Sequence, residues 1–271
     1  MPGPTPLPTP LYTASNCQPA YRLYWSLSIF WKELGIDTAS WLATLKEIVE
    51  PDGVRILGHR FKTPKVSQFL LSTKPHVAPP KVIRSIKGRL QHVVRRHLPR
   101  ALHRNYALHS VGAAARAVIE NYIRSQLDHH RLADERAEAL LRSYQIQSNG
   151  RELSRARPSS HGQFTHNLHL VFVHQGRWRA IHEEMLGSVR AMIVRASYRK
   201  GHLLGNVGIL PDHVHLELGC RLEDSPLEVA LSYLNNLAYA QGMRPVYQYG
   251  FYVGTFGEYD LGAIRRYLPE E

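Results

Sequence analysis

His213-Val-His215 and Tyr122-x-x-x-Gln126 are the residues of this chain whose types and spacing could do chemistry. A strand sends alternate side chains to one face, so a strand through Pro211-Asp-His-Val-His-Leu-Glu-Leu218 projects both imidazoles together. Val214, Leu216 and Leu218 then point the other way, toward a core. Two adjacent imidazoles make half of a metal site. The chain has 16 His, so a lone His-x-His says little; the Pro211-Asp212 turn and the apolar partners sharpen it. Tyr122 and Gln126 lie four apart in a helical stretch, Ala113 to Leu127, and share a face. A tyrosine hydroxyl can be a covalent nucleophile, and an amide oxygen can ligate a hard cation. From spacing alone, a packed tyrosine beside a solvated glutamine is the simpler reading.

The elements that must position these residues come in two sets. The chain has 271 residues, 44% apolar and 21% charged, which suits one large or two ordinary domains and excludes disorder throughout. A Pro-rich start, Met1-Pro-Gly-Pro-Thr-Pro-Leu-Pro-Thr-Pro10, reads as a disordered or polyproline tail over 1–20, not a signal peptide. The polar stretch 147–162 reads as a linker. On either side of it the same order recurs. Strand-like runs Tyr21 to Phe30 and Phe164 to Val173 open the two parts, followed by helical patterns near 41–49 and 185–193. A second strand, Pro64 to Leu71, lies over Pro211 to Leu218 at an offset of 147 (211 − 64). Helices over Ile83 to Val94 and Leu227 to Tyr239 come next. Tyr106 to Gly112 then lies over Phe251 to Gly257 at an offset of 145 (257 − 112), which carries Tyr122 onto Tyr267 and Gln126 onto Glu271. The expectation is an α+β chain of two tandem copies, 21–146 and 163–271, each a sheet with helices on one face.

Charge is uneven along the chain. Lys and Arg number 34 against 22 Asp and Glu, a net charge of +12. Residues 51–100 hold twelve basic residues and one acid, Asp52, whereas residues 201–271 hold four basic and nine acidic. A basic surface built by the first part suits a polyanion, nucleic acid before an anionic membrane. No apolar run is long enough to span a membrane. Two distant cysteines, Cys17 and Cys220, give neither a disulfide framework nor a zinc knuckle and fit a reducing, cytoplasmic setting.

Pro211-Asp-His-Val-His-Leu216 resembles the histidine–hydrophobe–histidine strand of the single-tyrosine HUH transposases, the small insertion-sequence and REP-associated tyrosine transposases. Ile119-Glu-Asn-Tyr-Ile-Arg-Ser-Gln126 resembles their tyrosine helix, and Tyr252-Val-Gly-Thr-Phe-Gly257 with Ala263-Ile-Arg-Arg-Tyr267 resembles their last strand and that helix. Arg84-Ser-Ile-Lys-Gly-Arg89 resembles their basic helix. The resemblance covers 21–126 and 163–271. It implies ferredoxin-like (RRM-like) domains and a divalent metal, Mg²⁺ or Mn²⁺, held by the two histidines and the helix glutamine. It also implies tyrosine attack on single-stranded DNA beside a hairpin, giving a 5′-phosphotyrosine link and a free 3′-hydroxyl. Lys81, Arg84, Lys87, Arg89, Arg95 and Arg96 would then grip DNA, and the protein would be nucleoid-associated.

The two copies depart from the pattern in complementary ways. Copy one has Val66 and Gln68 where the histidines should stand. Copy two keeps His213 and His215, but Pro269 follows Tyr267 and Glu271 stands in the place of glutamine. The expectation is an intrachain pseudo-dimer with one working site: His213, His215, and Tyr122 with Gln126 supplied from copy one. The alternative nucleophile is Tyr267, with Glu271 as ligand. A homodimer of this chain stays open. Two other readings stand beside it: a domesticated DNA hairpin-binding or repeat-binding protein that cuts nothing, and a histidine-triad nucleotide hydrolase with Glu217 in place of the third histidine.

Overall fold

Trp25, Leu27, Ile29 and Trp31 alternate along the chain and are at most 1% exposed, and Leu168, Leu170 and Phe172 alternate at 0%. Each set fills one face of a sheet. The computed structural model describes residues 9–33, 37–129, 135–177 and 181–266. Their elements in chain order are β1 (Gln18–Arg22), β2 (Tyr24–Trp31), α1 (Leu42–Val49), β3 (Val54–Thr63), β4 (Val66–Thr73), α2 (Pro79–Val94), β5 (Leu102–Val111), α3 (Arg116–Arg124), α4 (Gln126–His129) and α5 (Glu135–Tyr144). There follow α6 (Arg151–Ser154), β6 (Arg157–Ser159), β7 (Gly162–Thr165), β8 (Asn167–His174), α7 (Glu183–Lys200), β9 (Leu203–Ile209), β10 (His213–Gly219), α8 (Pro226–Ala240), β11 (Tyr247–Thr255) and α9 (Leu261–Arg265). The protein is a mixed α+β structure with two sheets. Among the described residues, no helix is long and apolar enough to cross a membrane.

One sheet has the order β3-β4-β2-β5-β7-β6, the other β1-β11-β8-β10-β9. Match β1 with β7, β2 with β8, β3 with β9, β4 with β10 and β5 with β11, and both sheets read in the same order, with β6 added at one edge. The first strand of each part sits in the other part's sheet: β1 pairs parallel with β11, and β7 pairs parallel with β5. Helices α1 and α2 cover one face of the first sheet, with Leu45, Val49, Val82, Ile86 and Leu90 in the core beneath. Helices α7 and α8 do the same for the second, with Val189, Ile193, Val229 and Leu234. Helix α8 starts on a capping box between Ser225 and Glu228.

The opposite faces are reached by crossing over. After β5 the chain leaves its own sheet, and α3 packs on β9 of the other. Leu127 and Leu141 are buried in the second core, and Ile146 makes a bridge to Val207. After β11 the chain crosses the other way, so that Ala263 and Ile264 of α9 face the first sheet across a cavity shared with Ser28 and Gln68. The two crossing segments touch. Leu261 N donates to the Gly112 carbonyl at 2.8 Å and Arg116 N to the Gly257 carbonyl at 2.9 Å. A Cβ on Gly257 would run into the Ser110 carbonyl oxygen of the other crossing segment, and one on Gly112 into the Ala114 carbonyl oxygen of its own turn. The close approach of the segments requires glycine at Gly257, and the local turn requires it at Gly112.

Several expectations need correction. The tail ends sooner than residue 20: the Tyr12 ring is 1% exposed, and its hydroxyl donates to the Tyr247 carbonyl at 2.7 Å. The stretch read as a linker, 147–162, holds α6 and β6, with Leu153 buried. Strands β3 and β9 escaped the sequence reading because irregularities between Ile56 and Gly58 and between Leu204 and Val207 break their alternation. The single helix expected over 113–127 is α3 and α4, separated at Ser125, whose φ and ψ of −89° and 3° leave the helical region. Tyr267 and Glu271 lie outside the described residues.

Candidate functional site

Strand β10 turns Val214, Leu216 and Leu218, each at most 1% exposed, into the second core. His213, His215 and Glu217 therefore share the opposite face. In β8, Val171 pairs with His215 and His169 with Glu217, which puts a third imidazole on that face. His169 Nε2 and His215 Nδ1 are hydrogen-bonded at 3.0 Å, their rings stacked within 15°. The His213 ring meets His215 edge-on, with centroids 4.9 Å apart.

The partners of the two Nδ1 atoms bear on the ring protons. His213 Nδ1 is 2.6 Å from Asp212 Oδ1. A carboxylate accepts only, so the ring donates from Nδ1, and a neutral His213 keeps its lone pair on Nε2. Burial pulls the His169 pKa down to about 4, so this ring is neutral near pH 7. It can accept the Nδ1–H of His215, which leaves the His215 lone pair on Nε2 as well. Outer partners fix metal-binding histidines in this way. The donor set thus suits a divalent cation as two imidazoles of a larger shell. Among the described residues, no group of three or more His, Cys, Asp or Glu side chains could hold a metal by itself.

Tyr122 comes to this face from the other part of the chain. On α3, its ring stands edge-on to His215 with centroids 5.6 Å apart, and it is 49% exposed. Gly208, paired with His215 across β9 and β10, allows the approach: a Cβ there would lie 3.3 Å from Ile123 Cγ2. Gln126 opens α4 and is buried, unlike Tyr122. Among the described residues no hydrogen bond joins it to either histidine. The structure thus brings together His213, His215 and Tyr122.

His169, Asp212, Tyr252 and Asn206 belong to the site although the sequence reading assigned none of them a role in it, and Glu217 joins them. His169 and Asp212 hold the imidazoles. Tyr252 on β11 meets the His169 ring edge-on at 5.8 Å, and burial raises its pKa. Asn206 donates from its backbone N and Nδ2 to Glu217 Oε2 at 3.0 and 2.8 Å. Glu217 is fully buried, its Oε1 has no hydrogen-bond partner among the described residues, and burial pushes its carboxyl up to about 7. Only register places His169 beside His215, and a single sequence carries no direct sign of register.

The basic residues divide. On α2, Lys81, Arg84 and His92 are exposed along one stripe and line a groove of about 650 Å³ with Arg89. Arg89 pairs with Asp52 at 3.4 Å. Lys87 is engaged inside the fold: Nζ donates to the carbonyls of His103, Arg104 and Asn105 at 2.9, 2.6 and 3.0 Å, and burial lowers its pKa to about 8. Arg95 and Arg96 follow the helix end and are exposed.

No family model matches the chain, and no curated protein matches it. Its structure is similar to the crystal structure of a candidate transposase from Deinococcus radiodurans R1, at 21% identity, a TM-score of 0.31, and coverage of 40% of this chain and 92% of that one. It is similar to a REP-associated tyrosine transposase bound to a REP hairpin, at 13% identity, a TM-score of 0.30, and coverage of 38% and 62%. A candidate glycine cleavage system transcriptional repressor matches at 8% identity and a TM-score of 0.24, with coverage of 86% and 97%. Scores of this size carry no functional weight, and the reading of the site rests on its own geometry.

Proposed function

We propose that this protein is a metal-dependent endonuclease and strand transferase acting on hairpin-bearing single-stranded DNA, of the single-tyrosine HUH type. Its two parts, 21–146 and 163–271, are two ferredoxin-like units in one chain, an intrachain pseudo-dimer with one working site. The observation that carries this is the Tyr122 ring of the first part set edge-on against His215 of the second.

His213 and His215 would hold Mg²⁺ or Mn²⁺, with Gln126 as the proposed third protein ligand. When bound, the cation polarises the scissile phosphodiester and offsets the charge that builds on its oxygens. Asp212 and His169 keep the two rings oriented. Tyr122 attacks phosphorus through its hydroxyl oxygen. As that bond forms, the bond from phosphorus to the 3′ oxygen breaks. The phenolic proton passes to solvent, and the departing oxygen takes one up. The products are a 5′-phosphotyrosine and a free 3′-hydroxyl, and attack by another 3′-hydroxyl reverses the step. The bond energy stays in the covalent link, so the protein's task is to position and to neutralise. The exposed basic stripe of α2 supplies a grip on duplex or hairpin phosphates.

The test is a denaturing gel for a covalent adduct with labelled single-stranded hairpin DNA, in Mn²⁺ or Mg²⁺ and in chelator. Wild type and Tyr267→Phe should form a metal-dependent adduct, and Tyr122→Phe should form none. An adduct that survives Tyr122→Phe but not Tyr267→Phe would move the nucleophile to the C-terminal tyrosine.

A further inference from the structure

The face of the first sheet that corresponds to the histidine face of the second holds a cavity of about 750 Å³. Val66 and Gln68 stand there in place of His213 and His215, so the cavity has no imidazole pair. Arg60 pairs with Gln68 as Gly208 pairs with His215. Arg60 thus stands where the other sheet has glycine, and the cavity lies between the sheet and Ala263 and Ile264 of α9. Its floor is a chain of polar contacts. Arg60 Nε and Nη2 donate to Gln68 Oε1 at 2.9 and 2.7 Å, and Gln68 Nε2 donates to Ser26 Oγ at 2.8 Å.

The charges and rings around this floor select a ligand. Lys62, at the bulge between Phe61 and Thr63 of β3, lines the cavity with Arg60 and is exposed. Among the described residues, the acid on the wall is Glu258, which pairs with Arg116 at 2.7 Å. His109 is held toward its neutral form, first by burial and then by Lys62. The cavity is therefore basic. Phe30 and Tyr259 add aromatic rings, and Tyr259 is 69% exposed. Cations and amide or hydroxyl donors beside exposed rings suit phosphate and a stacked base together. The volume lies in the range of ligand sites.

We infer that this cavity binds a nucleotide unit of single-stranded DNA, as a second, non-catalytic strand site on the sheet that lacks the histidines. The inference rests on the proposed DNA-processing function and extends it. Phosphate would lie against Lys62 and Arg60, and the base against Tyr259 or Phe30.

The experiment measures binding of a fluorescent oligothymidine strand by anisotropy over a salt series. It compares wild type, Lys62→Glu and Tyr259→Ala, both exposed positions, with Lys81→Glu on α2 as a control. Thermal melts confirm that each variant is folded. Lys62→Glu should weaken strand binding about tenfold and lower the salt slope by about one. Tyr259→Ala should weaken it about tenfold through the lost stack. Lys81→Glu should weaken hairpin binding more than strand binding. Displacement of the strand by free thymidine monophosphate at equal phosphate concentration would overturn the strand in favour of a free nucleotide. Unchanged binding by both cavity variants, in a protein that still forms the Tyr122 adduct, overturns the cavity site alone. Absence of an adduct from wild type whose strand affinity follows Lys62 and Tyr259 overturns the cleavage reading and keeps the cavity.

Discussion

His169 illustrates how a residue with no motif of its own can govern one that has a motif. Neutral imidazole in water prefers its proton on Nε2, the nitrogen that a metal needs bare. A buried acceptor at Nδ1 reverses that preference. His169, 3.0 Å away and kept neutral by burial, can play this part for His215, as the Asp212 carboxylate does for His213. Replacing His169 by Leu is expected to lower Mn²⁺ affinity about 10- to 100-fold, measured by titration calorimetry. His169→Gln should recover much of the loss, because its amide oxygen can accept the same proton. Nitrogen-15 correlation spectra should show His215 protonated on Nδ1 in the wild type. A wild-type His215 protonated on Nε2 would remove His169 from this role.

At the scale of elements, the approach of α3 to β9 decides whether Tyr122 can stand beside His215. Gly208 makes that approach possible, with no Cβ to meet Ile123. Gly208→Ala and Gly208→Leu should lift the helix by increasing amounts. A displacement of about 1 Å can cost on the order of a hundredfold in rate, so adduct formation should fall in that order. Calorimetric Mn²⁺ affinity should fall by less than the adduct yield, because both imidazoles stay on β10 and only Gln126, on α4, moves with the helix. Equal adduct yields from Gly208→Leu and wild type would show that helix seating does not limit the reaction. In the first sheet Arg60 takes the glycine's place and lines the cavity on that face.

For the whole molecule, the exchange of strands and helices binds the two parts to each other. β1 closes an edge of the second sheet, and β7 pairs into the first. Tyr12 and Cys17 ahead of the first part, and Leu127 and Leu141 within it, lie in the second core. Residues 1–149 and 150–271 expressed separately should each fail to give a cooperative melt, because each would expose a bare sheet face and an unfilled edge. Mixing the two pieces should restore one transition. A sharp melt of either piece alone would mean that the exchange adds little to folding.

The residue pattern alone determined a good deal. Alternation around His213 and His215 defined their strand and its buried partners, and recurrence at offsets of 147 and 145 set out the order of most strands and helices in both parts. These are local properties, fixed by strand and helix periods. The tertiary structure decided what local periods do not encode. Strand register put His169 beside His215, and crossing chains brought Tyr122 from the first part to the second part's sheet. Close contact at Gly257 and Gly208 depends on which distant segment passes nearby. The exchange of β1 and β7 shows the same limit: an edge strand pairs with whatever sheet it reaches, and its own sequence does not name the partner.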